Sequence, residues 1–158
     1  MSSPTTDKPL KRRQLFFQTF NEVLIELDRM ESRPQRTIGK WSLGQILKHL
    51  AVPIDGAVDG ISVQMPWHLR FSARLFKPIV MRMRMPAGFQ LPKQAAAVMV
   101  PGPTESAEGF AALRNSINKF NAATEFHPHP VLGTLTKKEW EMIMCRHCEL
   151  HLSFALDV

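Results

Sequence analysis

Residues 127–158 read HPHPVLGTLTKKEWEMIMCRHCELHLSFALDV, and they hold four of the six histidines in the chain. This stretch also contains the clearest helix start. Thr136 is followed three residues later by Glu139, which is the spacing of a capping box: each side chain can bond to the backbone N–H of the other residue. We therefore predict a helix that begins at about Lys137.

The buried side of this predicted helix carries two histidines. Its apolar residues recur at the three-and-four spacing of a helix face that packs on a core, and His147 and His151 fall on the same stripe, one turn apart. Two imidazoles in this arrangement can reach one metal ion when a third ligand comes from another helix. The apolar members of the stripe are Trp140, Ile143, Met144, Leu150 and Phe154.

A second capping box predicts another helix that carries a histidine inward. Ser42 and Gln45 form the box, and Trp41 before it can pack on the first turn as a hydrophobic staple, so the helix should begin at about Leu43. Its buried stripe includes His49, and a proline farther along, Pro53, predicts a kink.

Helical periodicity predicts two further helices, at residues 10–30 and 104–122. Between the second and third helices, six prolines interrupt residues 63–103. In that crossover we expect a short helix at 69–76 and a methionine-rich arm at 80–89, whose methionines serve as adaptable packing rather than as ligands.

Together these elements predict an all-α fold, a four-helix bundle with up-down-down-up topology and a long crossover between helices two and three. The short first and third links make helices one and two antiparallel, and likewise three and four. The length suits one domain over residues 1–158, with residues 1–9 as a flexible tail.

The topology places the three histidines at one height. At 1.5 Å per residue, His49 lies ~10 Å along helix two, and the midpoint of His147 and His151 lies ~10 Å from the far end of an antiparallel helix that ends near Leu156. The alternative is that all three are ordinary core histidines, and each one left unpaired would then cost about 1–3 kcal/mol. We interpret His49, His147 and His151 as candidate ligands of one metal, with a fourth position for water or substrate.

The remaining candidate ligands are less well placed. On a helix, Cys145 lies about 200° round from His147, and Cys148 lies about 60° from His151, so we expect both cysteines to be semi-buried packing residues. For His68, His127 and His129 we expect turn or surface roles.

Charge and composition limit the classes of binding partner that are expected. A net charge of +6 suggests nucleic acid or an anionic membrane as a partner. The short basic runs, however, have no interleaved aromatic residues, which argues against nucleic acid. No apolar run is long enough to span a membrane or to serve as a signal peptide, so a cytoplasmic location is expected. The two cysteines, three residues apart, exclude a disulfide framework.

Two parts of the sequence resemble a known superfamily. Residues 41–51, WSLGQILKHLA, with the late His147 and His151, resemble the DinB-like (YfiT-like) metalloenzyme superfamily. The closing pattern is similar to its branch called domain of unknown function 1569; this pattern comprises His129-Pro130, Gly133, Glu139-Trp140, His147, His151-Leu152 and Phe154. The branch often has a doubled histidine where this chain has Leu150 before His151.

The resemblance implies the same bundle and the same metal triad, His49, His147 and His151, with zinc, nickel or iron as the ion. It also implies a low-molecular-weight thiol as cosubstrate in a transferase or isomerase reaction. The leading hypothesis is thus a divalent ion that activates water or a thiol toward a small-molecule substrate, in a transferase, isomerase or hydrolase. Two alternatives stay open: a non-catalytic helical module or homodimer in which the metal is structural or absent, and a basic adaptor for nucleic acid or membrane.

Overall fold

Helices dominate the regular structure of residues 11–63, 65–88 and 93–158, which the computed structural model describes. The prediction of a helical fold is confirmed. The expected tail, residues 1–9, lies outside the described residues. In chain order the elements are α1 Phe20–Glu31, β1 Gln35–Thr37, α2 Leu43–Asp59, α3 Trp67–Leu75, α4 Lys77–Arg82, α5 Lys93–Met99, α6 Ser106–Ala122, α7 Lys137–Leu152 and β2 Ala155–Asp157.

Both predicted capping boxes are present, and α2 and α7 begin at the predicted residues. In the first box the N–H of Gln45 donates to Ser42 Oγ at 3.2 Å, and the N–H of Ser42 donates to Gln45 Oε1 at 3.0 Å. In the second, the N–H of Glu139 donates to Thr136 Oγ1 at 3.2 Å, and Glu139 Oε2 accepts from the N–H of Thr136 at 2.9 Å. Local hydrogen bonding therefore sets where the two histidine-bearing helices start.

Replacing Thr136 by alanine should lower the free energy of unfolding by about 1 kcal/mol, because the substitution removes a helix cap and no core contact. Metal content should not change. Urea denaturation measures the effect, with Thr124→Ala as the control because Thr124 is exposed and lies outside every helix. A denaturation midpoint that moves equally little in both variants would contradict the prediction.

The first helix starts later than predicted. Thr19 caps α1, which begins at Phe20, so the helical turns predicted before it are wrong wherever the structure describes them. The preceding backbone bonds to α7 instead: the N–H of Phe17 donates to Glu149 Oε1 at 2.7 Å, and Arg146 Nη2 donates to the carbonyl of Phe17 at 2.6 Å. These long-range bonds replace the helical ones that the apolar periodicity suggested. The start predicted at Leu10 is outside the described residues.

The all-α prediction missed a small sheet, and it made the last helix too long. Instead of continuing to near Leu156, α7 ends at Leu152. Strand β2 then pairs antiparallel with β1, with Gln35 opposite Asp157. Strands of three residues are too short to show an alternating pattern in the sequence, which is why periodicity did not reveal them.

In the crossover, the predicted short helix corresponds to α3, while α4 and α5 were not predicted. Part of the methionine-rich arm lies in α4, where Met81 is buried in the core, and Met85 beyond the helix packs against that core. These two methionines have the expected packing role, whereas Met83 is exposed. Phe89 of the arm is outside the described residues.

The hydrophobic core is drawn mainly from α1, α2, α6 and α7. Helices α2 and α6 come into close contact at two glycines. A Cβ atom on Gly44 would overlap the carbonyl oxygen of Thr104, and one on Gly109 would lie 2.8 Å from the carbonyl oxygen of Gly44. Only glycine lets the two backbones meet here. The largest buried side chains include Phe20, Leu27, Leu47, Leu50, Ile54, Leu113, Ile117, Phe120, Trp140 and Leu152.

Candidate metal centre

The three predicted histidines converge on one point. His49 comes from α2, while His147 and His151 come from α7, and one ring nitrogen from each lies within 4.8 Å of the others. The Nε2 atoms of His49 and His147 are 3.0 Å apart, and the ring centroids of His151 lie 4.5 Å and 4.7 Å from those of His49 and His147. The predicted convergence is confirmed.

A backbone carbonyl fixes the orientation of His49. Its Nδ1 lies 2.6 Å from the carbonyl oxygen of Met99, the last residue of α5. A carbonyl can only accept, so the hydrogen must sit on Nδ1, and in the neutral ring the lone pair of Nε2 then points toward His147. Metal-binding histidines are usually oriented in this way by a partner on the second nitrogen. The crossover therefore contributes to the site through its backbone.

Trp41 covers one side of the cluster. Its ring is nearly parallel to that of His151, with centroids 5.7 Å apart and planes 13° apart, and it also packs against His49 at 4.7 Å. From the sequence, Trp41 was expected to pack on the first turn of α2. The sequence offered one signal that Trp41 belongs to the site, namely its position eight residues before His49. It offered no signal for the carbonyl of Met99, because every residue has a backbone carbonyl.

Burial keeps the three imidazoles neutral. It is the main cause that lowers the pKa of His49, against the raising effect of the Met99 carbonyl. Burial also brings the pKa of His151 to about 3, and it holds that of His147 well below its usual range, with the neighbouring imidazoles acting in the same direction. At neutral pH all three rings are uncharged, which is the form that binds a metal ion.

The donor set fits a transition-metal ion. In a tetrahedral zinc site with bonds of about 2.1 Å, ligand nitrogens lie about 3.4 Å apart, which falls within the spacing of this cluster. Imidazole nitrogens suit zinc, nickel, copper and iron, whereas calcium and magnesium prefer oxygen. His49, His147 and His151 could therefore hold such an ion.

Both cysteines belong to the core and are not semi-buried as predicted. Cys145 and Cys148 have no exposed surface and pack in the hydrophobic cluster. Burial raises the pKa of Cys145 to about 12 and that of Cys148 well above its usual range. Neither thiol joins the three-histidine group, so the site as described consists of nitrogen donors.

The other histidines lie in the predicted kinds of place. His68 and His127 are exposed. His129 organises the proline-rich turn, because its Nδ1 accepts hydrogen bonds from the N–H groups of Val131 and Leu132, each at 3.1 Å. Its role is to shape the link that leads into α7.

His129 should make the protein sensitive to acid. Burial lowers its pKa to about 4, below the ordinary 6.5, so in the folded protein it stays neutral while the unfolded chain takes up a proton. The free energy of unfolding keeps the full contribution of neutral His129 above about pH 6.5. This contribution is lost as the pH falls from 6.5 toward 4, which lowers the free energy of unfolding by up to about 3 kcal/mol. His129→Asn keeps an oxygen that can accept from the same turn N–H groups.

The variant should therefore lose less unfolding free energy than the native protein between these two pH values. Urea denaturation of the metal-free proteins at a series of pH values measures this difference. Parallel curves for the two proteins would show that His129 does not carry the effect.

The fold and the site define a mostly helical protein with a buried three-histidine group. The family described as "Protein of unknown function (DUF1569)" matches residues 10–157, so the chain belongs to this family. The expected resemblance to domain of unknown function 1569 is thereby confirmed. No curated protein and no solved structure matches the chain. Among the described residues, no helix has both the length and the apolar character needed to cross a bilayer.

Proposed function

We propose that this protein binds a divalent metal ion through His49, His147 and His151 and uses it with an exogenous small molecule, as in a DinB-like metalloenzyme. The observation that carries the proposal is the convergence of three neutral imidazoles from two helices, one of them held in the metal-binding tautomer by the carbonyl of Met99. Three neutral imidazoles with converging nitrogens and a free fourth position are the donor set of many reactive metal sites.

We also propose the bundle topology that this superfamily implies. Helices α1, α2, α6 and α7 would be its four members, in up-down-down-up order, with the crossover between α2 and α6. Three features support the arrangement: these helices supply most of the core, α2 and α6 meet at Gly44 and Gly109, and α2 and α7 bring their histidines together.

The chemistry follows from the charge of the donor set. An ion held by three neutral imidazoles keeps most of its positive charge, and it would supply Lewis acidity toward a water molecule or a small thiol. The stacked ring of Trp41 limits the access of bulk water on one side, and the bond to Met99 holds His49 in place. Both features preorganise the site before a substrate arrives.

Neither cysteine of the chain is suited to act as the nucleophile. A thiol reacts as the thiolate, and the raised pKa of Cys145 and Cys148 keeps both protonated within the core. This favours a thiol-dependent transferase or isomerase, or a hydrolase that uses water, acting on a small molecule. The zinc, nickel or iron implied by the resemblance would each suit the donor set.

A cobalt-substituted sample tests the open position. Replacing both Cys145 and Cys148 by alanine should leave one metal per folded chain, and the visible spectrum should gain a thiolate band only after an external thiol is added. A thiolate band present from the start and lost in the double variant would make a cysteine the ligand. A spectrum that no thiol perturbs would remove the support for thiol-dependent chemistry and favour the alternative of a structural metal.

A further inference from the structure

The positive charge of the chain is concentrated in the crossover. Residues 60–104 contain six basic residues and no acidic one, which equals the whole net charge of +6. The rest of the chain carries fourteen basic and fourteen acidic residues, so its charges balance. The six are Arg70, Arg74, Lys77, Arg82, Arg84 and Lys93.

The same segment presents an apolar face to solvent. Helix α3 has no buried residue, and its Trp67, Phe71 and Leu75 are 78%, 66% and 64% exposed. Their spacing of four residues puts all three on one side of the helix. The exposed apolar residues of the α3–α4 patch are Trp67, Phe71, Leu75, Phe76, Ile79 and Met83. An apolar surface of this extent that a folded protein leaves exposed to solvent marks an interaction site.

Arginines border this patch without internal partners. Arg70, Arg74, Arg82 and Arg84 are exposed, and none of them forms an ion pair with the residues that the structure describes. Lys77 differs, because its Nζ lies 2.8 Å from a carboxylate oxygen of Glu139. Four unneutralised guanidinium groups beside exposed aromatic and aliphatic side chains call for a partner that is both anionic and apolar.

We propose that the α3–α4 patch docks the protein on the surface of an anionic lipid bilayer. Interfacial helices combine tryptophan, phenylalanine and leucine on one face with basic residues at its border, so that the apolar side chains enter the acyl boundary and the charges meet the headgroups. The patch has this composition. The proposed contact is a peripheral one, with the patch at the level of the headgroups.

The charge pattern favours a bilayer over other occupants. A second copy docked through the same patch would bring two sets of arginines together, which like-charge repulsion disfavours. A nucleic acid would neutralise the arginines, but it would leave Leu75, Ile79 and Met83 without an apolar environment. A bilayer provides an apolar environment for the exposed side chains and anionic headgroups for the arginines.

Vesicle flotation with the full chain tests the proposal. Vesicles of equimolar phosphatidylcholine and phosphatidylglycerol should bind at least about tenfold more tightly than phosphatidylcholine alone, and added salt should weaken the binding. Trp67 is the exposed tryptophan, Trp140 being buried and Trp41 half-buried, so brominated lipids should quench its fluorescence.

Matched variants separate the apolar from the charged contribution. Phe71→Ser with Leu75→Ser, and separately Arg82→Gln with Arg84→Gln, should each weaken binding to the anionic vesicles by about tenfold or more. Two controls should leave binding unchanged: Ile25→Ser, which removes an apolar side chain that is 60% exposed on α1, and Lys40→Gln with Lys138→Gln, which removes two exposed charges elsewhere. Circular dichroism verifies that each variant is folded.

Several outcomes would overturn the proposal. Absence of binding to the anionic vesicles would do so, as would equal binding to neutral ones or equal losses in the controls. A dimer seen by light scattering that the serine variants abolish, without vesicle binding, would identify the patch as a contact between copies. Binding to single-stranded RNA that only the arginine variants abolish, again without vesicle binding, would identify a nucleic-acid surface.

Discussion

His147→Ala should weaken the binding of a divalent ion by more than about a hundredfold, since it removes a proposed direct ligand, and even the loss of a supporting residue typically costs 10- to 100-fold. His147 is central to the cluster. Its Nε2 lies 3.0 Å from that of His49, and its ring packs edge-on against that of His151. Without it, two imidazoles from different helices remain.

The affinity is best measured by competition with a chromophoric chelator, together with elemental analysis of the purified protein. His68→Ala provides the matched control, because it removes an exposed histidine on α3 that lies outside the cluster. The control should bind metal like the native protein. Equal metal content in the two variants would show that the three histidines are not the site.

The convergence of the three histidines was predictable because helix phase is set locally. The capping boxes at Ser42 and Thr136 set the start of each helix, and the phase from those starts turned His49, His147 and His151 inward. The height of His147 and His151 was counted from an end near Leu156, whereas α7 ends at Leu152, so that count was four residues too long. The structure brings these three together. What could not be counted was the contribution of backbone and of distant segments, as with the Met99 carbonyl on His49.

The errors have the same origin. Apolar periodicity before Phe20 resembled a helix, but the backbone of Phe17 is held by side chains more than a hundred residues away. The sheet between β1 and β2 pairs the two ends of a long chain segment through strands of three residues. Sequence windows contain no information about such partners.

The exposed surface of the crossover could not be predicted from the sequence, for a physical reason. Arg82 and Arg84 have no aromatic residue interleaved with them in the sequence, which argued against nucleic acid. In the fold, the short helices α3 and α4 leave Trp67 and Phe71 exposed in the same segment as these arginines. Adjacency along the chain does not show which side chains lie together on a surface built from two helices.

Arg146→Met should destabilise the metal-free protein by about 3–5 kcal/mol, because it leaves a buried carboxylate without its countercharge. Arg146 and Glu149 are both more than nine-tenths buried, and Arg146 Nη1 lies 2.6 Å from Glu149 Oε1. Each also bonds to the backbone of Phe17. The pair thereby ties the segment before α1 to the helix that carries two of the three histidines.

The double variant Arg146→Met with Glu149→Leu separates two effects on stability: the loss of the ion pair, and the cost of the unpaired carboxylate that Arg146→Met alone leaves buried. Removing both partners leaves no buried charge, so the loss should be smaller than for Arg146→Met alone, although the N–H of Phe17 loses its acceptor at a cost of about 1–3 kcal/mol. Lys119→Met, which opens the exposed pair with Asp59, should leave the urea midpoint nearly unchanged. If Arg146→Met shifted the midpoint no more than Lys119→Met, the tie between Phe17 and α7 would not contribute to stability. The position of α7 would then depend on its core contacts alone.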